Sequence, residues 1–131
     1  MPLVTIIVGA LLSSLGIAGY LVSDTRSLTA LIPLVFGSLL ETCGVLAMRP
    51  KLKAHAMHGA SALALLGVLG SSMGMISFLK LITGGDVARP TAVRVQAAMF
   101  VICLVFLTLC IRSFREARAR RVADAAARAT A

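Results

Sequence analysis

One carboxylate lies where carboxylates are rare. Glu41 sits inside SLTALIPLVFGSLLETCGVLAM, a run with no other charge. Such a group can hold or pass a proton or a cation, or it can bond a neighbouring helix. At the middle of a membrane span it would cost on the order of 3 kcal/mol to place. It is therefore expected to face protein, on a stripe with Pro33, Gly37 and Gly44. The polar groups predicted at similar depth on other helices are Ser13 or Ser14, Ser61 and Cys103, with His58 about one helical turn nearer the cytoplasm. Glu41, His58, Ser13 and Cys103 are the candidate proton or ion site. The bland alternative is a carboxyl that serves as glue between helices.

The remaining chemistry-bearing residues are few. His55 and His58 occur as KAHAMH and share one helix face. Two histidines without a third ligand beside them are a weak zinc signal, so no metal site is expected. Cys43, Cys103 and Cys110 all fall in apolar runs. An odd number of such cysteines is no disulfide framework, and they read as small packing residues. No nucleophile, base and orienting group occur together, and no Gly-rich phosphate loop or cofactor motif is present. The chain is not expected to be an enzyme or to hold a cofactor.

The elements that must position these groups follow from composition. In 131 residues, 59% are hydrophobic and 14% charged, against about 45–50% and about 25% in ordinary globular chains. The mean hydropathy is +0.97. A soluble chain this short has too much surface for so few charges. The solvent for most of it is expected to be lipid. Spans of about 20 apolar residues fall at about 2–22, 28–48, 56–79 and 94–111. None alternates as a barrel strand would. The first has no basic residue ahead of it, so it reads as a mature helix and not a signal peptide. The expected fold is all-α, a four-helix antiparallel transmembrane bundle with a basic C-terminal helical tail over 112–131.

Short loops make neighbouring helices antiparallel, which puts both termini and the second loop on one side. That side carries Arg49, Lys51, Lys53, Arg112, Arg115, Arg118, Arg120, Arg121 and Arg128. The other carries Arg26, Lys80, Arg89 and Arg94. By the positive-inside rule both termini are expected in the cytoplasm. With no Trp and a single Tyr, Tyr20, interfacial anchoring falls to Lys and Arg. Arg112, Arg115, Arg118, Arg120 and Arg121 are placed to meet anionic lipid headgroups. No aromatic or fold motif accompanies this charge, so nucleic acid is not an expected partner. Small residues let helices approach closely in lipid. Gly9 and Gly16, Gly37 and Gly44, and Gly67, Gly70 and Gly74 are the predicted packing positions.

The stretch SLTALIPLVFGSLLETCGVLAMRPKLKAHAMHGASALALLGVLG resembles the middle of small, uncharacterised bacterial four-span inner-membrane proteins. The likeness covers roughly residues 16–70 and implies a bacterial inner-membrane location. A fainter similarity, to the small four-helix fatty-acid export family, rests on a Gly-rich first helix ending in Gly19-Tyr20 and a Ser-Leu loop. It lends no role to Glu41 or to His55 and His58. The expected function is an oligomeric transport or permeation protein for a small solute, ion or lipid, with Glu41 on its path. The alternative is a non-catalytic accessory or structural protein that binds a partner membrane protein.

Overall fold

The computed structural model describes residues 1–23 and 28–130. Arg26, which enters the charge count above, and Ala131 of the tail lie outside the described residues. Four α-helices carry the chain: α1 (Pro2–Val22), α2 (Ile32–Leu46), α3 (Lys53–Ile82) and α4 (Pro90–Thr130). A helix satisfies its own backbone N–H and C=O groups, which lipid cannot do, and these four account for every apolar run. Three of them, α1, α3 and α4, are long and apolar enough to cross a membrane.

The second run differs from a single helix over 28–48. A 3-10 turn at Leu28–Leu31 precedes α2, which starts with Pro33 in its first turn. After Leu46 the bonding tightens: Met48 N–H donates to Val45 O and Arg49 N–H to Leu46 O, each at 3.1 Å. Pro50 has no N–H to continue the ladder. The 15 residues of α2 span about 22 Å, short of a hydrocarbon core of about 30 Å. The 3-10 turn adds about 8 Å at about 2.0 Å per residue. α3 and α4 begin ahead of the apolar spans at 56–79 and 94–111. α4 starts at Pro90 because proline suits the first helical position, where an N–H is unbonded anyway. It continues without a break through the basic tail. α3 ends in a turn where Gly84 takes φ 85°, a conformation glycine adopts at no steric cost.

Close contacts fix the packing directions. Gly9 lies against Gly37 and Glu41, Gly16 against Leu34, and Gly44 against Ile6 and Pro2. Numbers rise in α1 as they fall in α2, so the pair is antiparallel. Gly67 lies against Cys103, Gly74 against Gln96, and the His58 ring against Phe114, which makes α3 and α4 antiparallel too. The molecule is two tight hairpins joined by the turn at 47–52. At the end near that turn the hairpins interlock. Thr5 Oγ1 donates to Met57 Sδ at 3.8 Å, and Leu12, Leu40, Ala60, Ala64, Phe106 and Cys110 form a shared core.

The helix seams are built largely from small residues, and many of the large aliphatic side chains point outward. Gly9, Gly16, Gly19, Gly37, Gly44 and Gly67 are buried. Leu3, Leu21, Leu69 and Met73 are all more than 60% exposed. In water that arrangement would expose a large apolar surface; in lipid it costs nothing and allows the backbones to touch. The outward hydroxyls match that solvent. Ser14, Ser38, Thr42, Ser72 and Thr108 each bond a carbonyl of their own helix, at 2.7–2.9 Å. Among the described residues no buried side-chain nitrogen or oxygen lacks a partner.

Candidate functional site

Glu41 is half-buried in the seam between α1 and α2. Both of its neighbours across the seam are there because they are small. A Cβ on Gly9 would come within 2.6 Å of Glu41 Cγ and 2.8 Å of its backbone nitrogen. One turn further along α1, Ser13 donates its hydroxyl to Glu41 Oε1 at 3.2 Å. The carboxyl thus sits on a glycine and accepts a bond from a serine, both on the same facing helix.

The other groups expected at its depth are elsewhere. His58 is exposed; its Nδ1 lies 2.8 Å from Ala54 O, and its ring lies 4.9 Å from that of Phe114. Ser61 donates to His58 O at 2.8 Å. Cys103 is buried against Gly67 on the α3–α4 seam. Of the four residues Glu41, His58, Ser13 and Cys103, the structure brings only Glu41 and Ser13 together. No group of three or more metal-ligating side chains exists among the described residues.

Within the α1–α2 seam, the Ser13 bond needs only an oxygen acceptor at position 41. Glu41→Gln keeps that oxygen and the shape of the side chain. It is expected to change stability by less than about 1 kcal/mol, the scale of single interhelical hydrogen bonds in lipid. Unfolding of wild type and variant by dodecyl sulfate titration, followed by circular dichroism, checks this. A loss of several kcal/mol would show that the charge, and not the bond, holds the seam.

The glycines divide into two groups. Gly9, Gly16, Gly37, Gly44, Gly67 and Gly74 are in close contact with a facing helix. Gly70 is the exception: a Cβ there would meet nothing within 4 Å. It faces a cavity of about 340 Å³ between the hairpins, at the end away from the 47–52 turn. All four helices contribute to it, through Gly19, Phe36, Gly70, Ser71, Gln96 and Met99 among others. From Ala92 to Met99 it runs about 10 Å along α4. Its floor is closed where Cys103 packs on Gly67. The volume and the mostly apolar lining are those of small-molecule sites. Glu41 is not part of the lining.

The cavity follows from where side-chain bulk is placed. Leu12, Leu40 and Phe106 fill the interlocked end, whereas Gly70, Ser71 and Ala92 put little bulk at the other. The sequence carries one clue to it, Gln96, a polar residue at the start of the fourth apolar run. Gly70 reads as one more packing glycine because its spacing from Gly67 and Gly74 is helical. Only the position of α2 shows that no helix reaches it. No family model, curated protein or solved structure matches the chain.

Proposed function

We propose that this chain is a small four-pass protein of the bacterial inner membrane, with both termini in the cytoplasm, that transports or admits a small solute, ion or lipid. The observation that carries the reading is the cavity between the hairpins. Its apolar lining favours a largely apolar solute over a bare ion, which would shed its hydration there without replacement. Two hairpins locked internally and joined at one end are suited to rock against each other around such a site. Oligomers of this unit would extend the path, since four helices enclose little space. Reconstituted in liposomes, the protein should speed the crossing of a fluorescent apolar or amphiphilic solute. Gly70→Phe, which fills the cavity, should abolish that gain.

The nine-to-four division of Lys and Arg supports the orientation. In a cysteine-free background, single cysteines at Lys51 and Asp86 should react with an impermeant maleimide from opposite sides of the membrane. Reaction of both from one side would overturn the topology. A second reading has its own support. Glu41 is bonded within its hairpin and away from the cavity, as in a structural or accessory protein that binds a partner membrane protein. Under that reading the liposome flux is absent, and the protein co-purifies with a fixed partner.

A further inference from the structure

The cavity between the hairpins has chemistry at its rim that its walls lack. Pro33, Phe36, Val95 and Met99 make the walls largely apolar, with Ser71 and Gln96 as polar groups, while Arg89, the residue before α4, is the one charged residue among the described residues of the lining. Its carbonyl accepts from Val93 N–H at 3.2 Å, but no hydrogen bond or ion pair joins its guanidinium to another described residue. The first turn of α4 holds no acidic residue, and the nearest described carboxylate along the chain, Asp86, is exposed three residues earlier. Lys80 and Arg94 add positive charge at the same end.

The opening also faces sideways. Ile32 on α2 and Leu66 on α3 line the cavity and are 43% and 57% exposed. They belong to the outward apolar surface as well as to the lining. α2 and α3 meet near the 47–52 turn, where Cys43 lies 3.7 Å from a Cβ built on Gly59, and they separate toward Gly70. The cavity therefore communicates with whatever covers the apolar outer surface. Arg89 lies at the end of the apolar runs, the level of lipid headgroups.

The geometry points to a phospholipid as the occupant of this cavity, with one acyl chain between α2, α3 and α4 and its phosphate on Arg89. An apolar slot open to the side admits a chain that is already in the membrane. A guanidinium at headgroup depth pairs with phosphate through two parallel N–H bonds. A hydrocarbon without a head would leave Arg89 unused, and a water-soluble phosphate would leave the walls uncovered. The assignment concerns what sits in the cavity, and it holds whether the lipid is carried across or stays in place.

The test is lipid retention by the intact protein, read by native mass spectrometry after transfer from detergent containing equal amounts of two lipids. Phosphatidylglycerol and diacylglycerol with the same acyl chains are the probes. The expected result is one phosphatidylglycerol per chain, retained at least tenfold over diacylglycerol. Arg89→Gln should remove that preference, and Gly70→Phe should remove retention of both lipids while helicity and thermal unfolding stay unchanged. Glycerol 3-phosphate in solution should not displace the lipid, which separates a lipid phosphate from a free one. Equal retention of the two lipids by wild type overturns the phosphate contact. Phosphatidylglycerol retained equally by wild type, Arg89→Gln and Gly70→Phe overturns the site, since such lipid would be held elsewhere on the surface. Should Gly70→Phe fail to fold, Arg89→Gln on the rim still decides. The liposome flux is a separate readout, so failure of transport and failure of lipid binding are distinguishable.

Discussion

Gly37→Ala should separate α1 from α2, the largest effect expected of adding one methyl group to this chain. The new Cβ would lie 2.5 Å from Gly9 O and 2.5 Å from Ser13 N. Both are backbone atoms and cannot rotate away, so the helices themselves must part by about 1 Å to reach ordinary van der Waals contact. Overpacking of this kind costs about 1–3 kcal/mol. A second loss comes with it. The Ser13–Glu41 bond, already at 3.2 Å, would stretch beyond useful reach and remove up to about 1 kcal/mol more. The expected total is about 3 kcal/mol. Gly70→Ala is the matched control. Its methyl group meets open space, and alanine is the better helix former, so stability should be unchanged or slightly raised. Dodecyl sulfate unfolding of the two variants side by side measures the contrast. Equal stabilities would mean that α1 and α2 do not approach as closely as Gly9 and Gly37 require.

Phe106→Ala should have the next largest effect, at the interlocked end. Phe106 is 1% exposed and is the bulkiest of the fully buried side chains. In soluble cores this change costs about 3–5 kcal/mol. Part of that is transfer from water, which is absent when the separated helices are solvated by lipid. What remains is the lost dispersion contact and the void, about 2 kcal/mol. The same unfolding titration applies. Phe106→Leu, which keeps most of the volume, should recover more than half of the loss. If both variants cost nothing, the hairpins are not joined through this residue.

The helices were legible because each depends on a local property, an uncharged apolar run long enough to need its backbone bonded internally. The boundaries of α2 were less so. Pro33 and Pro50 mark them, but whether Leu28–Leu31 winds as α or 3-10 depends on where the chain must go next. Glu41 facing protein was readable from the glycines one turn to either side. Its partner was narrowed to a few hydroxyls and thiols, because depth in a span is readable but helix rotation is not. Ser13 faces Glu41, while Ser14, one residue on, bonds Ala10 O. The cavity was hidden for a related reason. Gly67, Gly70 and Gly74 are the same residue type at helical spacing, and the difference between them lies in which neighbour is there.

The unbroken course of α4 has a mechanical consequence. Its 41 residues measure about 60 Å, twice the hydrocarbon thickness of about 30 Å. From Cys110, in the interlocked core, to Thr130 is about 30 Å of fully wound helix, and from Phe106 to Ala92 at the cavity about 21 Å. A stiff rod held at that point acts as a lever with arms on both sides. A rotation of about 10° that changes the width of the cavity by about 4 Å would swing the far tip by about 5 Å in the opposite direction. The seven arginines from Arg94 onward ride on that rod, six of them on the long arm. The filling of a pocket in the membrane would thus be displayed as a displacement of positive charge outside it.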